Sequence, residues 1–137
     1  MKRESKQIGE YTYAVQQLGS RAGGRLLIRF SKKLGQGIKS GATTIDRIAG
    51  AVESLEESDY DYLVDLLAPQ TYVSGGGLAK PVKLVDVFDV HFAGRYLEMG
   101  QWLTFCLEVN YGDFLAVLLR PAGESEGSPD QGTSDGQ

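Results

Sequence analysis

The stretch Asp86–Leu115, DVFDVHFAGRYLEMGQWLTFCLEVNYGDFL, constrains this chain more than any other part. It holds the only Trp, the only Cys and the only His. Phe92, Tyr96, Met99, Leu103 and Cys106 recur at steps of four, three, four and three, the spacing of one helical face. Phe88 extends that face one turn back, and Val109 continues it. One helix from about Asp86 to about Asn110 would be about 37 Å long at the standard rise. Asp86 is placed to cap its start. Asn110 followed by Gly112 gives it a stop. Leu97, Trp102, Phe105 and Leu107 are apolar too and lie off that stripe. A helix apolar on several sides is enclosed, by other elements or by a partner chain.

The 137 residues fit one domain with a tail: a helical unit over 1–119 and an acidic tail over 120–137. The tail, RPAGESEGSPDQGTSDGQ, has no bulky apolar side chain to offset its ordering entropy, so disorder is expected there. One cysteine excludes an internal disulfide, and no CxxC or His-rich cluster offers a metal site. A reducing, cytosolic setting is the simplest expectation. The basic start MKRESKQIGEY lacks the apolar run of a secretory signal, and no stretch is apolar enough to span a membrane.

The net charge of −4 hides an asymmetry. Residues 1–40 carry nine Lys/Arg against two acids, and residues 41–137 carry five against sixteen. Arg21, Arg25 and Arg29 fall at steps of four and make one cationic row, which calls for an acidic counterpart. That counterpart is the same chain, a second copy or a partner. Nucleic acid is not the expected one, because the basic residues lack interleaved aromatics and the whole chain is acidic.

The coarse fold is α+β, mainly α with a small N-terminal β-hairpin. Lys6–Gln17 predicts the hairpin, turning at Gly9-Glu10, with Tyr11, Tyr13 and Val15 on one face. It must lie on a helix or join another sheet. Ser20 caps a helix to about Leu34, in which Gly23-Gly24 marks close packing or a later start. Gly35–Gly41 is a linker without the spacing of a phosphate-binding loop. A short helix is expected around Thr44–Leu55. Ser58 begins a capping-box-like SDYD, and its helix runs to Ala68, where Pro69 ends it. Thr71–Val73 and Pro81–Leu84 read as short strands joined by an exposed, flexible tip, Ser74–Gly77. Tyr111–Leu119 is a separate apolar piece, a docked short helix or a segment awaiting a partner.

Chemistry is not expected. On one straight helix His91 and Cys106 would sit about 22 Å apart, too far for a nucleophile and its base. The simpler roles are a solvent-facing or capping His91 and a buried, apolar-type Cys106. The carboxylates of the central stretch show no paired arrangement. No catalytic, cofactor-binding or metal-binding residue is assigned.

HFAGRYLEMGQWLTFCLEVNYGDFL resembles a phrase of the tail assembly chaperones of long-tailed bacteriophages, "HFAGRY…W…ALEVNFGDF". IGEYTYAVQQLGSRAGGRLLIRFSKKLG is similar to that family's strand, "Y-V-QL" segment and basic helix, and ESDYDYLVDLLAPQTYV to its "L-E-D-YL-D-F---T-V" segment. Together these cover most of residues 7–115. The resemblance implies a non-catalytic role in morphogenesis. Such chaperones bind the tape measure protein, keep it soluble and help recruit the tail tube protein. They act in the host cell cytoplasm and are absent from the mature virion. In many such phages a translational frameshift adds a C-terminal domain, and this chain would be the shorter product.

Excess apolar helix surface suits that role, because it can mask the apolar stripes of another helix. Tyr96, Met99, Trp102, Phe105 and Phe114 are the candidate contacts. Self-association into a homo-oligomer is expected, since a long client offers many sites. The rival classes are a tail structural or connector protein retained in the virion and a nucleic-acid-binding regulator using the Arg21–Lys33 face.

Overall fold

The computed structural model of this chain describes residues 2–36, 50 and 52–118. Most of the 35–41 linker, most of the helix expected at 44–55 and the tail over 120–137 lie outside the described residues. β1 (Arg3–Ile8) and β2 (Tyr11–Gln16) form the predicted hairpin about Gly9-Glu10. β3 (Thr71–Gly75) pairs antiparallel with β2, and β4 (Val82–Lys83) with β3, giving a four-stranded sheet in the order β1-β2-β3-β4. The hairpin takes both of the alternatives open to it: it joins a larger sheet and is covered by a helix. The tip Ser74–Gly77 is not the free spacer that its composition predicts. Gly76 has φ +56°, and a Cβ there would come within 2.3 Å of the Tyr11 ring. The tip is thus held against Tyr11 at a position only glycine fills.

α1 (Ser20–Gln36) starts at Ser20 despite its glycine pair. Gly23 contributes its carbonyl, which accepts the Tyr111 hydroxyl at 2.6 Å. α2 (Glu57–Leu67) begins before Ser58, with Glu56 as an N-cap that makes no side-chain bond, so the expected capping box does not form. A 3₁₀ turn, Ala68–Gln70, closes α2 at Pro69, as a ring without an N–H requires.

The central stretch is two helices, not one. α3 (Leu84–His91) and α4 (Tyr96–Leu118) meet at a corner. Gly94 turns it with φ +73°, the left-handed geometry that ends many helices. The Phe92 and Ala93 N–H groups bond back to Phe88 and Val90 carbonyls at 3.1 and 3.4 Å. Extended Lys83 caps α3, and Asp86 sits inside its first turn. At the other end Asn110 and Gly112 do not stop α4. Asn110 Nδ2 donates to the Cys106 carbonyl at 2.9 Å, and its Oδ1 accepts the Leu18 N–H at 2.8 Å. The residue read as a stop is a cross-link to the β2–α1 connection. Tyr111–Leu118 is accordingly the last part of α4.

The corner folds α3 back onto α4. Phe88 and Phe92 pack their rings against Trp102, with centroids 5.6 and 5.8 Å away. α4 lies across β1 and β2. Between Trp102 and Tyr111 seven of ten residues are buried and none is exposed. Ile8, Tyr13, Val15 and Val73 of the sheet, Leu26 and Phe30 of α1, and Leu63 and Leu67 of α2 share that core. The expected enclosure of an all-round apolar helix is therefore met within one chain over this middle segment.

Trp102 and Thr71, both fully buried, sit at its centre. Trp102 Nε1 donates to Thr71 Oγ1 at 3.1 Å, and that hydroxyl donates to the Leu67 carbonyl at 3.0 Å. One hydroxyl thus satisfies the indole and ties α2, β3 and α4 together. Thr71→Val keeps the shape and strands the indole N–H. Denaturant unfolding is expected to show a loss of about 1–3 kcal/mol, the cost of a buried unpaired donor.

Candidate protein-binding surface

α4 is buried in its middle and open at both ends. The contact residues predicted from sequence divide accordingly. Trp102 and Phe105 belong to the core of this chain, and the Lys6 ammonium lies 5.8 Å above the Phe105 ring. Met99 is half-buried, and its sulfur accepts the Tyr60 hydroxyl at 3.1 Å. Tyr96 is 71% exposed and Phe114 48%. Side-chain type gave all five equal standing, because an aromatic or Met residue suits a core as well as an interface and its identity does not show what covers it.

The open ends also expose apolar residues that periodicity did not single out as contacts. Leu97 is 79% exposed beside Tyr96, and Val117 64% beside Phe114. Tyr96, Leu97, Gly100 and Thr104 form one wall of a groove whose other side includes Lys6 and Val52. Gly100 has no atom within 4 Å of where a Cβ would stand, so the groove stays open along α4. Tyr96 and Phe114 are eighteen residues apart, five turns of ideal helix, so they stand on one line about 27 Å apart. Val90 of α3 and Ile28 of α1 are exposed as well, each the apolar member of a charged face. The signal for both was an apolar residue with charged helix neighbours, Arg25 and Arg29 by Ile28 and Asp86 and Asp89 by Val90.

The cationic row also divides. Arg29 Nε pairs with Asp59 Oδ1 at 3.1 Å, and its guanidinium lies 4.3 Å over the Tyr62 ring. It fastens α1 to α2, supplying the expected acidic counterpart for one member of the row. Arg21 and Arg25 remain exposed.

His91 is neither solvent-facing nor a cap. It packs edge-on against Tyr11 with ring centroids 4.5 Å apart, and its Nε2 shares a hydrogen bond with Tyr13 Oη at 2.8 Å. Tyr13 Oη also donates to Glu98 Oε2 at 3.4 Å. Arg95 holds both Glu98 oxygens at 3.1 and 3.0 Å, donates to the His91 carbonyl and lies 4.8 Å over Tyr11. This polar cluster clamps the α3–α4 corner to β2. Burial, then the Arg95 charge, lowers the His91 pKa, and burial with the Glu98 carboxylate raises that of Tyr13. Cys106 is buried beside Thr71, and burial pushes its thiol up, away from the reactive thiolate. His91 and Cys106 thus have separate partners on separate helices. Among the described residues no group of His, Cys, Asp and Glu could hold a metal ion, and no helix is long and apolar enough to cross a membrane.

A family model described as phage tail assembly chaperone protein matches residues 9–123. No curated protein and no solved structure matches the chain.

The corner cluster sets a pH dependence whose sign follows from His91. Its folded pKa lies below the ordinary value of 6.5, so the unfolded chain takes the proton first. The stabilisation is complete above that value and is lost as pH falls toward the lowered pKa. Denaturant unfolding from pH 7.5 down to about 5 is expected to show stability falling on acidification. In His91→Gln this part of the slope is expected to flatten.

Proposed function

This chain belongs to the phage tail assembly chaperone family, and on that premise we propose that it binds the tape measure protein, keeps it soluble and promotes assembly of the tail tube protein around it. The observation that carries this is the apolar surface left over once the core of α4 is closed. Tyr96 and Leu97 stand exposed on a helix wall with an open glycine beside them. That is the form of a seat for the apolar face of another helix. Phe114 and Val117 give a second apolar contact at the far end, and a client helix longer than about 27 Å reaches both. Two weak contacts on one client raise each other's effective concentration. Aromatic and aliphatic side chains without a fixed polar pattern suit a client met at many places along its length. The role is one of assembly, without catalysis. It is exercised in the host cell cytoplasm by several copies on each client, and the protein leaves before the virion is finished.

Co-expression tests this. The wild-type chain is expected to bring its phage's tape measure protein into the soluble fraction and to be pulled down with it. Tyr96→Ser/Leu97→Ser is expected to lower the recovered client about tenfold, the effect of some 1.4 kcal/mol of lost contact, with unchanged unfolding of the chaperone itself. A client that stays insoluble with the wild type, or a variant that serves equally well, would sink the proposal. In purified virions, mass spectrometry is expected to find the chain missing or scarce. Stoichiometric presence there would instead identify a structural tail protein.

A further inference from the structure

We infer that copies of this chain join head to tail, the Arg21–Arg25 face of α1 on one copy seating on the Asp86–Asp89 face of α3 on the next. The outward stripe of α1 is Arg21, Gly24, Arg25 and Ile28, all exposed, with Ile28 at 77%. Gly24 has nothing within 4 Å of a would-be Cβ, so another helix can approach closely there. The outward face of α3 is Val85, Asp86, Asp89 and Val90, also exposed, with Val90 at 84%. Each face carries two like charges about one turn apart, some 5–6 Å between Cβ atoms, flanked by exposed aliphatic side chains. The charge spacing matches, the signs are opposite, and each face brings an apolar patch for the other. Lys83 caps α3, but the two carboxylates outnumber it.

A single copy cannot satisfy both faces. α1 is tied to α4 at Tyr111 through the Gly23 carbonyl, whereas α3 joins α4 at the Arg95 corner. Those anchors are sixteen residues apart, about 24 Å along the helix. Among the described residues none of the four charges forms an ion pair within the chain. A two-fold dimer through either face alone would set like charge against like. Two different faces in contact make a heterologous interface, which adds copies in series until it closes or ends. This deepens the proposed arrangement of several copies on one client. Its test uses the chaperone alone, so either proposal can fail without the other.

Sedimentation velocity of the full chain is expected to show assemblies larger than a dimer at low salt, and their loss in about 0.5 M salt as the charges are screened. Arg21→Glu/Arg25→Glu and Asp86→Lys/Asp89→Lys are each expected to be folded monomers. Each variant alone sets like charge against like, because one carries two acidic faces and the other two basic ones, whereas in an equal mixture the two variants meet with opposite charge at both possible contacts. The mixture is therefore expected to associate through the opposite signs. All four substitutions in one chain restore opposite faces and are expected to restore assembly. A wild type that stays monomeric at low salt would overturn the inference. So would a fully swapped chain that folds by circular dichroism but does not assemble. A monomeric wild type that retards DNA in a gel, with the retardation lost in Arg21→Glu/Arg25→Glu, would overturn it and give the α1 face to nucleic acid.

Discussion

A helix segment that is apolar on every side has to be surrounded, and most of this molecule is the surround. From Trp102 to Tyr111 no residue of α4 is exposed. The sheet covers one side, α1 and α2 others, and α3 is folded back to close the Trp102 end. Burial on this scale is non-directional and would tolerate several arrangements. The polar contacts inside it are directional. Thr71 accepts from the indole and donates to α2, Asn110 reaches the Leu18 amide, and Tyr111 reaches the Gly23 carbonyl. These few bonds select one packing among those that hydrophobicity alone permits.

The hairpin, the end of α2 at Pro69, the two short strands and the buried character of Cys106 were legible because each rests on a local rule. Proline lacks an N–H wherever it stands, and Tyr11, Tyr13 and Val15 alternate whatever lies against them. The misreadings have a common cause: a residue used by a distant part of the chain. Asn110 looks like a helix stop until Leu18 supplies it with an amide. Gly94 lies in a stretch whose apolar period carries straight across it, and the turn is evident only in its positive φ. Ser74–Gly77 has the composition of a spacer, but the Tyr11 ring occupies the space beside Gly76. Of the candidate contacts, Trp102 and Phe105 are core and Tyr96 and Phe114 are surface, a difference no period of three or four encodes. Leu97 was noted as off the stripe, and being off the stripe at an uncovered end of α4 is why it is exposed.

The surface that remains is of two kinds, and they suit different tasks. The apolar ends of α4 lack a fixed polar pattern, which favours contact with many similar segments over selection of one. The faces of α1 and α3 carry paired charges at a fixed spacing, which favours a single register. Membership of the tail assembly chaperone family gives a reason for both to occur on one small protein. The proposed role, a grip repeated along one client by copies in fixed order, would use both.

The outer border of the sheet bears on how such a protein behaves in bulk. In β1 every residue except Ile8 is exposed, and Arg3, Glu4 and Lys6 are charged. Open strands with bare backbone groups are templates on which further strands zip up, and charge along the rim discourages it. A tail assembly chaperone with such a rim is thereby hindered from seeding fibres of its own. The self-association inferred above is charge-driven and reversible, and the charged rim of β1 keeps it distinct from strand-on-strand growth.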